Sequence, residues 1–547
     1  MTTGSTKSSR KSKKQAQKNS QPSRVERVVA VDLSNRTWLI SAIVIMAVGA
    51  FLRLYDLALV PFHHDEGVNG NFLVHLVRDN VYRYDPQNYH GPTLYYFAAI
   101  IPSVIKFLFG ASAQNSYGLT SFNVRLVTAL FGLGTIWLVL LLRRRLGSVG
   151  TLAAAALLAV SPGAVYLSRY FIHESLFVFF TFGIVVAAVK YFDDGHPVYL
   201  ILAAASAGLL FATKETWIIS AGVLLIALVS THVYRWLWRK VGKKYDDETA
   251  PTDSPPTTAL ERIGGIDNIF IWGPVALAIC MGISVLFYSS FFKNWQGVSD
   301  SLRTFQIWSK TGSTAHVHDW WMYFKWLQEE ETPLLLLGVI GALLPVIKPK
   351  NSLALFCGLW AVGILAAYSM VPYKTPWLCL NFILPLSLTS GYVFQWLYEF
   401  TNRELSRPLF LLAALALGIC TYQMIVLNFF KYDDDKYIYV YAHTRRETLA
   451  LLDDIDKVAK NAQGFDTGIT IMSPDYWPLP WYFRDYKRVG YYAQISQTNE
   501  PIVIASEPQR EDVLAKFGDR YRQIDTKFPL RPGVDLLLFV RKDVAGP

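Results

Sequence analysis

Apolar residues in this chain are gathered into long segments separated by polar stretches. The hydrocarbon core of a bilayer is about 30 Å thick, and a helix needs about 20 apolar residues to cross it. Most of the segments approach that length, which predicts a polytopic α-helical membrane protein. The twelve segments cover residues 38–60, 93–109, 122–142, 149–167, 171–191, 197–213, 215–236, 269–291, 333–347, 351–371, 376–398 and 407–430.

The distribution of Lys and Arg decides how many segments cross. If all twelve cross from a cytoplasmic N-terminus, four basic loops lie outside, although such loops are normally cytoplasmic. Segment 93–109 is short, contains Pro102 and Lys106, and begins with Tyr95-Tyr96, which favours a helix along the outer interface. That single reassignment moves all four loops to the cytoplasm. We therefore predict eleven spans, a cytoplasmic N-terminus and an extracytoplasmic C-terminus.

The polar stretches divide the chain further. Residues 1–36 are basic and rich in Ser and Gln, which predicts a disordered cytoplasmic arm. Residues 37–431 form the predicted transmembrane domain, with outer loops at 61–121 and 292–332 and a cytoplasmic linker at 237–268. The long outer loop is rich in Trp, which fits either a lid over a binding site or an interfacial belt.

After residue 431 the pattern changes from long apolar segments to short alternating ones. It predicts helices near 444–461 and 508–518 and strands near 467–472, 501–505 and 535–541. Residues 432–547 are therefore predicted to form a small extracytoplasmic α/β domain.

Charge does not indicate a nucleic-acid partner. The formal net charge of +10 comes from 52 Lys and Arg against 42 Asp and Glu, and the excess lies in the N-terminal arm and the short loops. Cytoplasmic loops of membrane proteins carry such an excess. Together with a mean hydropathy of +0.25, this predicts a multi-pass protein of the cytoplasmic membrane, surrounded by lipids.

The candidate chemistry begins with Asp65-Glu66, which follows the first apolar segment directly. Carboxylates at a membrane boundary cost desolvation energy and usually have a function. The predicted topology brings other ionisable residues to the same outer face, at the ends of separate spans, where they can converge on one cavity. These residues are His64, His90, Arg169, His173, Glu174, Lys214, Glu215 and Lys374.

Several of these motifs resemble the GT-C superfamily of membrane glycosyltransferases. Asp65-Glu66, with Tyr89-His-Gly-Pro-Thr-Leu-Tyr-Tyr96 after it, is most similar to the branch of protein O-mannosyltransferases and aminoarabinose transferases. Gly91 stands where that branch has a proline. Further similarity lies at 123–132 and at 161–174, and the likeness covers residues 38 to about 230.

A narrower resemblance comes from residues 371–377 and 477–482. These resemble a prokaryotic set of GT-C-like proteins named as associated with flippase activity. Trp477 and Trp481 in the second motif either stack on sugar rings or pack the C-terminal domain onto the membrane part, and packing is the favoured interpretation.

The resemblance implies an inverting transfer of a sugar from a polyprenyl-phosphate donor to a glycan, lipid or protein acceptor, outside the membrane. It implies that Asp65 is the general base and that Glu66 positions it or binds the acceptor. Cations must stabilise the departing phosphate, and Arg169, Lys214 and Lys374 are the candidates, with Lys374 slightly favoured. The remaining predicted substrate-binding residues are His64, His90, Tyr95, His173 and Glu174.

Other interpretations of the same residues stay open. Asp65 and Glu66 alternatively only cap the following helix, and each cation alternatively extends to the interface or pairs with a neighbouring carboxylate. No metal or other cofactor is predicted to be required, and a divalent cation held by outer His and Asp residues is the less favoured case.

Two other functions compete with glycosyl transfer. One is a transporter or flippase-associated factor for lipid-linked sugars, and the other is an inactive scaffold with the same fold. Transfer is favoured over transport because the spans are largely uninterrupted and their ionisable residues cluster at the ends.

Overall fold

The structure is a computed structural model in which two regions differ in architecture. It describes residues 33–88, 90–110, 118–241, 265–311, 316–400 and 406–544. Most of the predicted N-terminal arm and of the predicted cytoplasmic linker lies outside these described residues. The part up to residue 430 is helical, and the part after it contains a β-sheet.

The helical part consists of α-helices joined by short connectors. The helices are α1 (Asn35–Leu54), α2 (His64–Arg78), α3 (Thr93–Ala98), α4 (Ile100–Phe109), α5 (Ser121–Leu140), α6 (Arg143–Leu146), α7 (Ser148–Val160), α8 (Pro162–Ser168), α9 (Glu174–Asp194), α10 (Val198–Phe211), α11 (Trp217–Lys240), α12 (Gly265–Tyr288), α13 (Gln296–Thr311), α14 (Met322–Glu330), α15 (Thr332–Ile347), α16 (Ser352–Met370), α17 (Leu380–Phe400) and α18 (Ser406–Ile425). A 3-10 turn, Pro376–Cys379, precedes α17, and a π-helical turn, Val426–Phe430, continues α18.

Eight of the described helices are long and apolar enough to cross a membrane, and they make the chain a multi-pass membrane protein. They are α1, α5, α9, α11, α12, α16, α17 and α18. Two broken pairs, α7 with α8 and α14 with α15, raise the number to ten when each counts as one span. The predicted helical membrane class is confirmed. The eleven-span count and the interfacial position of α3 and α4 stay predictions.

The two broken pairs contact each other at their breaks. The chain bends by 61° between α7 and α8, where Pro162 lacks the N–H that would continue the helix, and by 118° between α14 and α15. Glu331 lies at the second break and accepts hydrogen bonds from the Ser161 hydroxyl and the Gly163 N–H, each at 2.8 Å. The carboxylate thus satisfies backbone and side-chain donors that the first break leaves free.

Helix α17 lies at the centre of the bundle, between α7 and α15. A side-chain carbon at Gly341 would lie 2.0 Å from the Thr389 carbonyl oxygen, and one at Gly391 would lie 2.3 Å from the Gly150 carbonyl oxygen. Small residues therefore allow the backbones of α15 and α7 to approach α17 directly, as is common where helices pack within membranes.

The C-terminal part is a five-stranded sheet with helices on it. Its helices are α19 (Thr448–Asn461), α20 (Leu479–Tyr482) and α21 (Arg510–Phe517), and its strands are β1 (Ile469–Ile471), β2 (Val489–Tyr491), β3 (Ile502–Ser506), β4 (Tyr521–Arg531) and β5 (Val534–Arg541). Short 3-10 turns occur at Ile438–Val440, Gly464–Asp466 and Glu507–Gln509.

The strand order is β2-β1-β3-β5-β4, with β1 parallel to both neighbours and β5 antiparallel to both of its own. Apolar side chains on successive residues of β3 and β5 point to opposite faces, and each face is covered. The predicted small α/β region is confirmed, and its predicted helices and strands correspond to α19, α21, β1, β3 and β5. Strands β2 and β4 were not predicted.

Candidate active site

A cavity of about 640 Å³ lies beside the N-terminus of α2. That volume is within the usual range for sites that bind small molecules. Polar residues from five separate stretches of chain meet in its wall, as do several aromatic rings. The polar lining includes His64, Asp65, Asn69, Asn88, His90, His173, Glu174, Lys214, Glu215, Thr216 and Thr375, and the aromatic lining is Trp308, Tyr368, Tyr373 and Trp377.

The structure brings six of the ten predicted site residues together in this cavity. They are His64, Asp65, His90, His173, Glu174 and Lys214. The other four, Glu66, Tyr95, Arg169 and Lys374, do not line it.

Asp65 lies in the first turn of α2 with its side chain 40% exposed. The helix is capped by His63, whose Nδ1 accepts the Asp65 backbone N–H at 3.0 Å. Burial lowers the pKa of His63 to about 4, so its imidazole is neutral and its other ring nitrogen, 3.1 Å from the Tyr441 carbonyl oxygen, can donate. His63 and Glu66 form the capping box, which leaves the Asp65 carboxylate available to the cavity.

The surroundings of Asp65 suit a group that takes up a proton. The protein around the carboxylate removes water from it and raises its pKa above the ordinary value of 3.8, although His64, His90 and Lys214 act in the opposite direction. A carboxylate with a raised pKa accepts a proton more readily than one in free solution.

Glu66 is fully buried behind the cavity and pairs with Arg125. Its Oε1 accepts from Arg125 Nε at 2.8 Å and from the Phe171 N–H at 2.7 Å, and its Oε2 accepts from Arg125 Nη2 at 2.6 Å and from the His63 N–H at 3.0 Å. Four donors thus occupy the carboxylate. The predicted acceptor-binding role does not fit this position, whereas the predicted positioning role does.

Sequence analysis included Arg125 only within the motif at 123–132 and did not single it out. Besides Glu66, its guanidinium donates to the carbonyl oxygens of Leu57 at 3.1 Å and Val60 at 2.8 Å. It therefore joins α5 to the connector before α2 and to α2 itself. The sequence offered one signal. Arg125 is a basic residue in the motif at 123–132, and the acidic pair Asp65-Glu66 had no obvious basic partner.

Two further contacts between acidic and basic side chains lie in the lining of the cavity. Lys214 donates to Glu174, and His90 Nδ1 lies 3.0 Å from Glu215 Oε2. Burial alone would lower the pKa of Lys214, but the carboxylates of Glu174 and Glu215 raise it above its ordinary value. Lys214 is therefore a permanent positive charge at the cavity.

The connector that carries His90 depends on the glycine beside it. A side-chain carbon at Gly91 would lie 2.1 Å from the Ala212 carbonyl oxygen, and the Gly91 N–H donates to the Thr213 carbonyl at 3.0 Å. His173 Nε2 lies 3.0 Å from the Gly91 carbonyl oxygen. This backbone contact places His90 and His173 next to Lys214, which explains the glycine at a position where the similar branch has proline.

Tyr95 is buried behind the wall and supports two lining residues. Its hydroxyl donates to Asn69 Oδ1 at 3.0 Å, and Asn88 Nδ2 lies 3.4 Å from the same hydroxyl. Asn69 in turn donates to the Phe171 carbonyl at 3.0 Å. Asn69 lies one helical turn after Asp65, so helical spacing was the signal that could have identified it.

Arg169 and Lys374 point to helix ends instead of the cavity. The Arg169 guanidinium donates to the carbonyl oxygens of Tyr55 at 2.6 Å and Asp56 at 2.7 Å, just after α1. The Lys374 ammonium donates to the Ser369 carbonyl at 3.1 Å and the Val371 carbonyl at 2.5 Å, at the end of α16. Carbonyls there have no partner within the helix and attract cations, which accounts for both positions.

Among the residues that the structure describes, no group of three or more His, Cys, Asp and Glu side chains has the geometry of a metal site.

The comparisons with solved structures identify the class of fold. ArnT from Cupriavidus metallidurans is similar over 94% of this chain and 100% of its own, at 13% identity, with TM-scores of 0.58 when bound to undecaprenyl phosphate and 0.59 in the apo state. An oligosaccharyltransferase from Archaeoglobus fulgidus, tethered with an acceptor peptide, is similar over 84% of this chain and 64% of its own, at 14% identity and a TM-score of 0.51. The chain has the GT-C membrane fold.

Within that class, the family model described as dolichyl-phosphate-mannose-protein mannosyltransferase matches residues 92–245. This stretch contains His173, Glu174, Lys214 and Glu215. No curated protein matches the chain. The resemblance to the GT-C superfamily, and to its O-mannosyltransferase and ArnT branch, is confirmed, while the narrower resemblance to flippase-associated proteins stays a prediction.

The buried pair of Glu66 and Arg125 predicts that substitutions of the two adjacent carboxylates differ in their effect on stability. Glu66→Gln leaves the Arg125 charge uncompensated, and we expect the full chain to lose about 3–5 kcal/mol of unfolding free energy. Asp65→Asn is the matched control, expected to change it by less than about 0.5 kcal/mol because that side chain is half-exposed. Thermal unfolding in one detergent compares the two. Equal stabilities would contradict this assignment of Glu66.

Proposed function

We propose that this protein is an inverting glycosyltransferase that moves a sugar from a polyprenyl-phosphate donor to an acceptor hydroxyl at the outer face of the cytoplasmic membrane. The observation that carries the proposal is the Asp65 carboxylate, half-exposed in a cavity that the charged Lys214 also lines. A base and a cation in one cavity are what the two ends of the transfer require.

The acceptor end of the reaction uses Asp65. The acceptor oxygen attacks the anomeric carbon from the face opposite the phosphate, and its proton passes to the Asp65 carboxylate. The bond from the anomeric carbon to the phosphate oxygen breaks with its electron pair, which leaves polyprenyl phosphate. One displacement of this kind inverts the anomeric configuration.

The phosphate end of the reaction uses Lys214. Negative charge grows on the leaving phosphate as the sugar bond breaks, and a fixed ammonium stabilises that charge more in the transition state than before it. His90, held by Glu215, also lines the cavity and can contact the substrate there. Tyr373 and Trp377 supply the aromatic surface on which a sugar ring can stack.

The comparisons support the class of donor. ArnT from Cupriavidus metallidurans, which shares the fold, is described as bound to undecaprenyl phosphate, and the matching family model is described by a dolichyl-phosphate sugar. The outward orientation rests on the basic loops, which are cytoplasmic when the cavity faces outward. In this arrangement residues 432–547 are extracytoplasmic and residues 1–36 are cytoplasmic.

Substitution of Asp65 tests the proposed base. Asp65→Asn should lower kcat about 100- to 10 000-fold, because the amide cannot take up the acceptor proton. The assay measures transfer from a panel of radiolabelled undecaprenyl-phosphate hexoses into membranes of a strain that lacks the gene. The melting temperature provides the control for folding. Full turnover in a normally folded Asp65→Asn protein would exclude Asp65 as the base.

The pH dependence follows from the same carboxylate. The base works only when ionised, so activity is present above the pKa of Asp65 and is lost as the pH falls through it. Because that pKa is raised, kcat should fall toward acid with a midpoint above 3.8. Melting temperatures over the same pH range separate this loss from unfolding. A midpoint at or below 3.8 would contradict the proposed environment of Asp65.

The pair of Lys214 and Glu174 allows a test of the proposed phosphate site. The Lys214→Gln/Glu174→Gln double variant removes both charges of this pair together, and Glu215 keeps its contact with His90. We expect its KM for the donor to rise at least about ten-fold and its kcat to fall, since a charge-assisted contact that strengthens in the transition state is lost.

Lys374→Gln is the control for this variant. Its ammonium contacts the Ser369 and Val371 carbonyl oxygens and lies 5.8 Å from the Tyr323 ring, outside the cavity lining. The donor KM should therefore stay at the wild-type value while stability falls. If Lys374→Gln weakens donor binding and the double variant does not, the phosphate site is misassigned.

A further inference from the structure

The connector immediately before Asp65 is held by residues of the C-terminal part. The Phe62 N–H donates to the Tyr482 hydroxyl at 2.8 Å, and the Thr444 hydroxyl donates to the Phe62 carbonyl at 2.6 Å. His63, the cap of α2, contacts the Tyr441 carbonyl oxygen. Both backbone groups of Phe62 and the helix cap therefore have partners from beyond residue 440.

An aromatic stack continues this connection through side chains. The rings of Phe62 and Trp481 lie 4.4 Å apart and within 7° of parallel. The Arg125 guanidinium lies 4.9 Å from the Phe62 ring, and the Arg484 guanidinium lies 4.3 Å from the Trp481 ring. Since Arg125 also holds Glu66, the stack joins the C-terminal part to the residue beside Asp65.

The C-terminal part also packs closely against the middle and the end of α2. A side-chain carbon at Gly67 would lie 2.6 Å from Pro478, and one at Gly70 would lie 2.6 Å from Trp481. At the far end of the helix, Arg78 donates to the Arg484 carbonyl and to the Asp485 carboxylate. The segment 477–485 thus contacts the helix along its whole length.

The same segment contributes no side chain to the cavity. The described residues that line the cavity extend no further along the chain than Leu378. Trp481 is 1% exposed and Phe62 is 0% exposed, so neither ring is open to a sugar. The contacts from 441–485 therefore act on the geometry of α2 instead of on a ligand.

We infer that Trp481 is a positioning residue through which the C-terminal part holds Asp65 in place for the transfer. This inference rests on the proposed function. The first turn of α2 carries the base, and its cap, its connector and its packing face all depend on the 441–485 segment. Misplacement of a reacting group by about 1 Å can cost about 100-fold in rate. The C-terminal part is accordingly a component of the catalytic unit.

The test compares Trp481→Ala with Trp481→Phe in the full chain. Removal of the ring should lower kcat about 10- to 100-fold, because Asp65 is no longer held at the reacting distance. The donor KM should change by less than about two-fold, because Lys214 is untouched. Trp481→Phe keeps a stacked ring and should restore most of the rate. The assay uses the radiolabelled undecaprenyl-phosphate hexoses.

Phe517→Ala is the matched control. Phe517 is also 1% exposed, but it packs in the core on the sheet face that includes Met472 and Val503. It tests whether loss of any large buried ring in the C-terminal part has the same effect. We expect Phe517→Ala to keep the wild-type kcat in the fraction that remains folded.

Hydrogen exchange provides a readout that is independent of glycosyl transfer. Amides of residues 62–70 should exchange at least about ten-fold faster in Trp481→Ala than in the wild type, and not in Phe517→Ala. Tyr482→Phe, which removes one hydroxyl only, should accelerate exchange at Phe62 even if Trp481→Ala fails to fold.

The outcomes separate the inference from the proposed function. Absence of transfer by the wild type with every donor would refute the proposed function, and the exchange data would still test the anchoring of α2. Unchanged exchange at 62–70 in both Trp481→Ala and Tyr482→Phe would overturn the inference. Equal losses of kcat in Trp481→Ala and Phe517→Ala would also overturn it.

Discussion

The buried pair of Glu66 and Arg125 is the interaction on which the rest of the site depends. A carboxylate and a guanidinium without water are tolerated only when each is fully hydrogen-bonded, and here backbone groups from two stretches of chain complete the set. Because those stretches include the helix cap and the turn before α9, one ion pair fixes two walls of the cavity relative to α5. The neighbouring carboxylate, Asp65, takes no part in this network and lines the cavity.

Helix geometry explains why two acidic residues that are adjacent in sequence have different surroundings. Successive residues of a helix point about 100° apart, so one carboxylate faces the protein interior while the next faces the cavity. The basic residues also differ in what they contact. Lys214 faces the cavity beside two carboxylates, whereas Arg169 and Lys374 bind the carbonyl oxygens at helix ends.

The helical architecture and many of the cavity-lining residues could be predicted from sequence. Membrane-spanning helices are recognisable by their length, and the ionisable residues lie at helix ends. The direction in which each side chain points could not be predicted from sequence. Arg125 is 59 residues from Glu66 along the chain, and no spacing pattern reports such a pairing. Strand β4 was missed for a related reason: Arg522, Asp525 and Lys527 are partly or fully exposed on an edge strand, so its pattern resembles a loop.

The contact between the two helix breaks has a mechanical consequence. Glu331 ties the end of α14 to the start of α8, and α8 leads into the turn that precedes His173. A displacement of α14 would therefore reach the His173 side of the cavity through a single carboxylate. The two helix breaks give α14 a short mechanical route to the cavity.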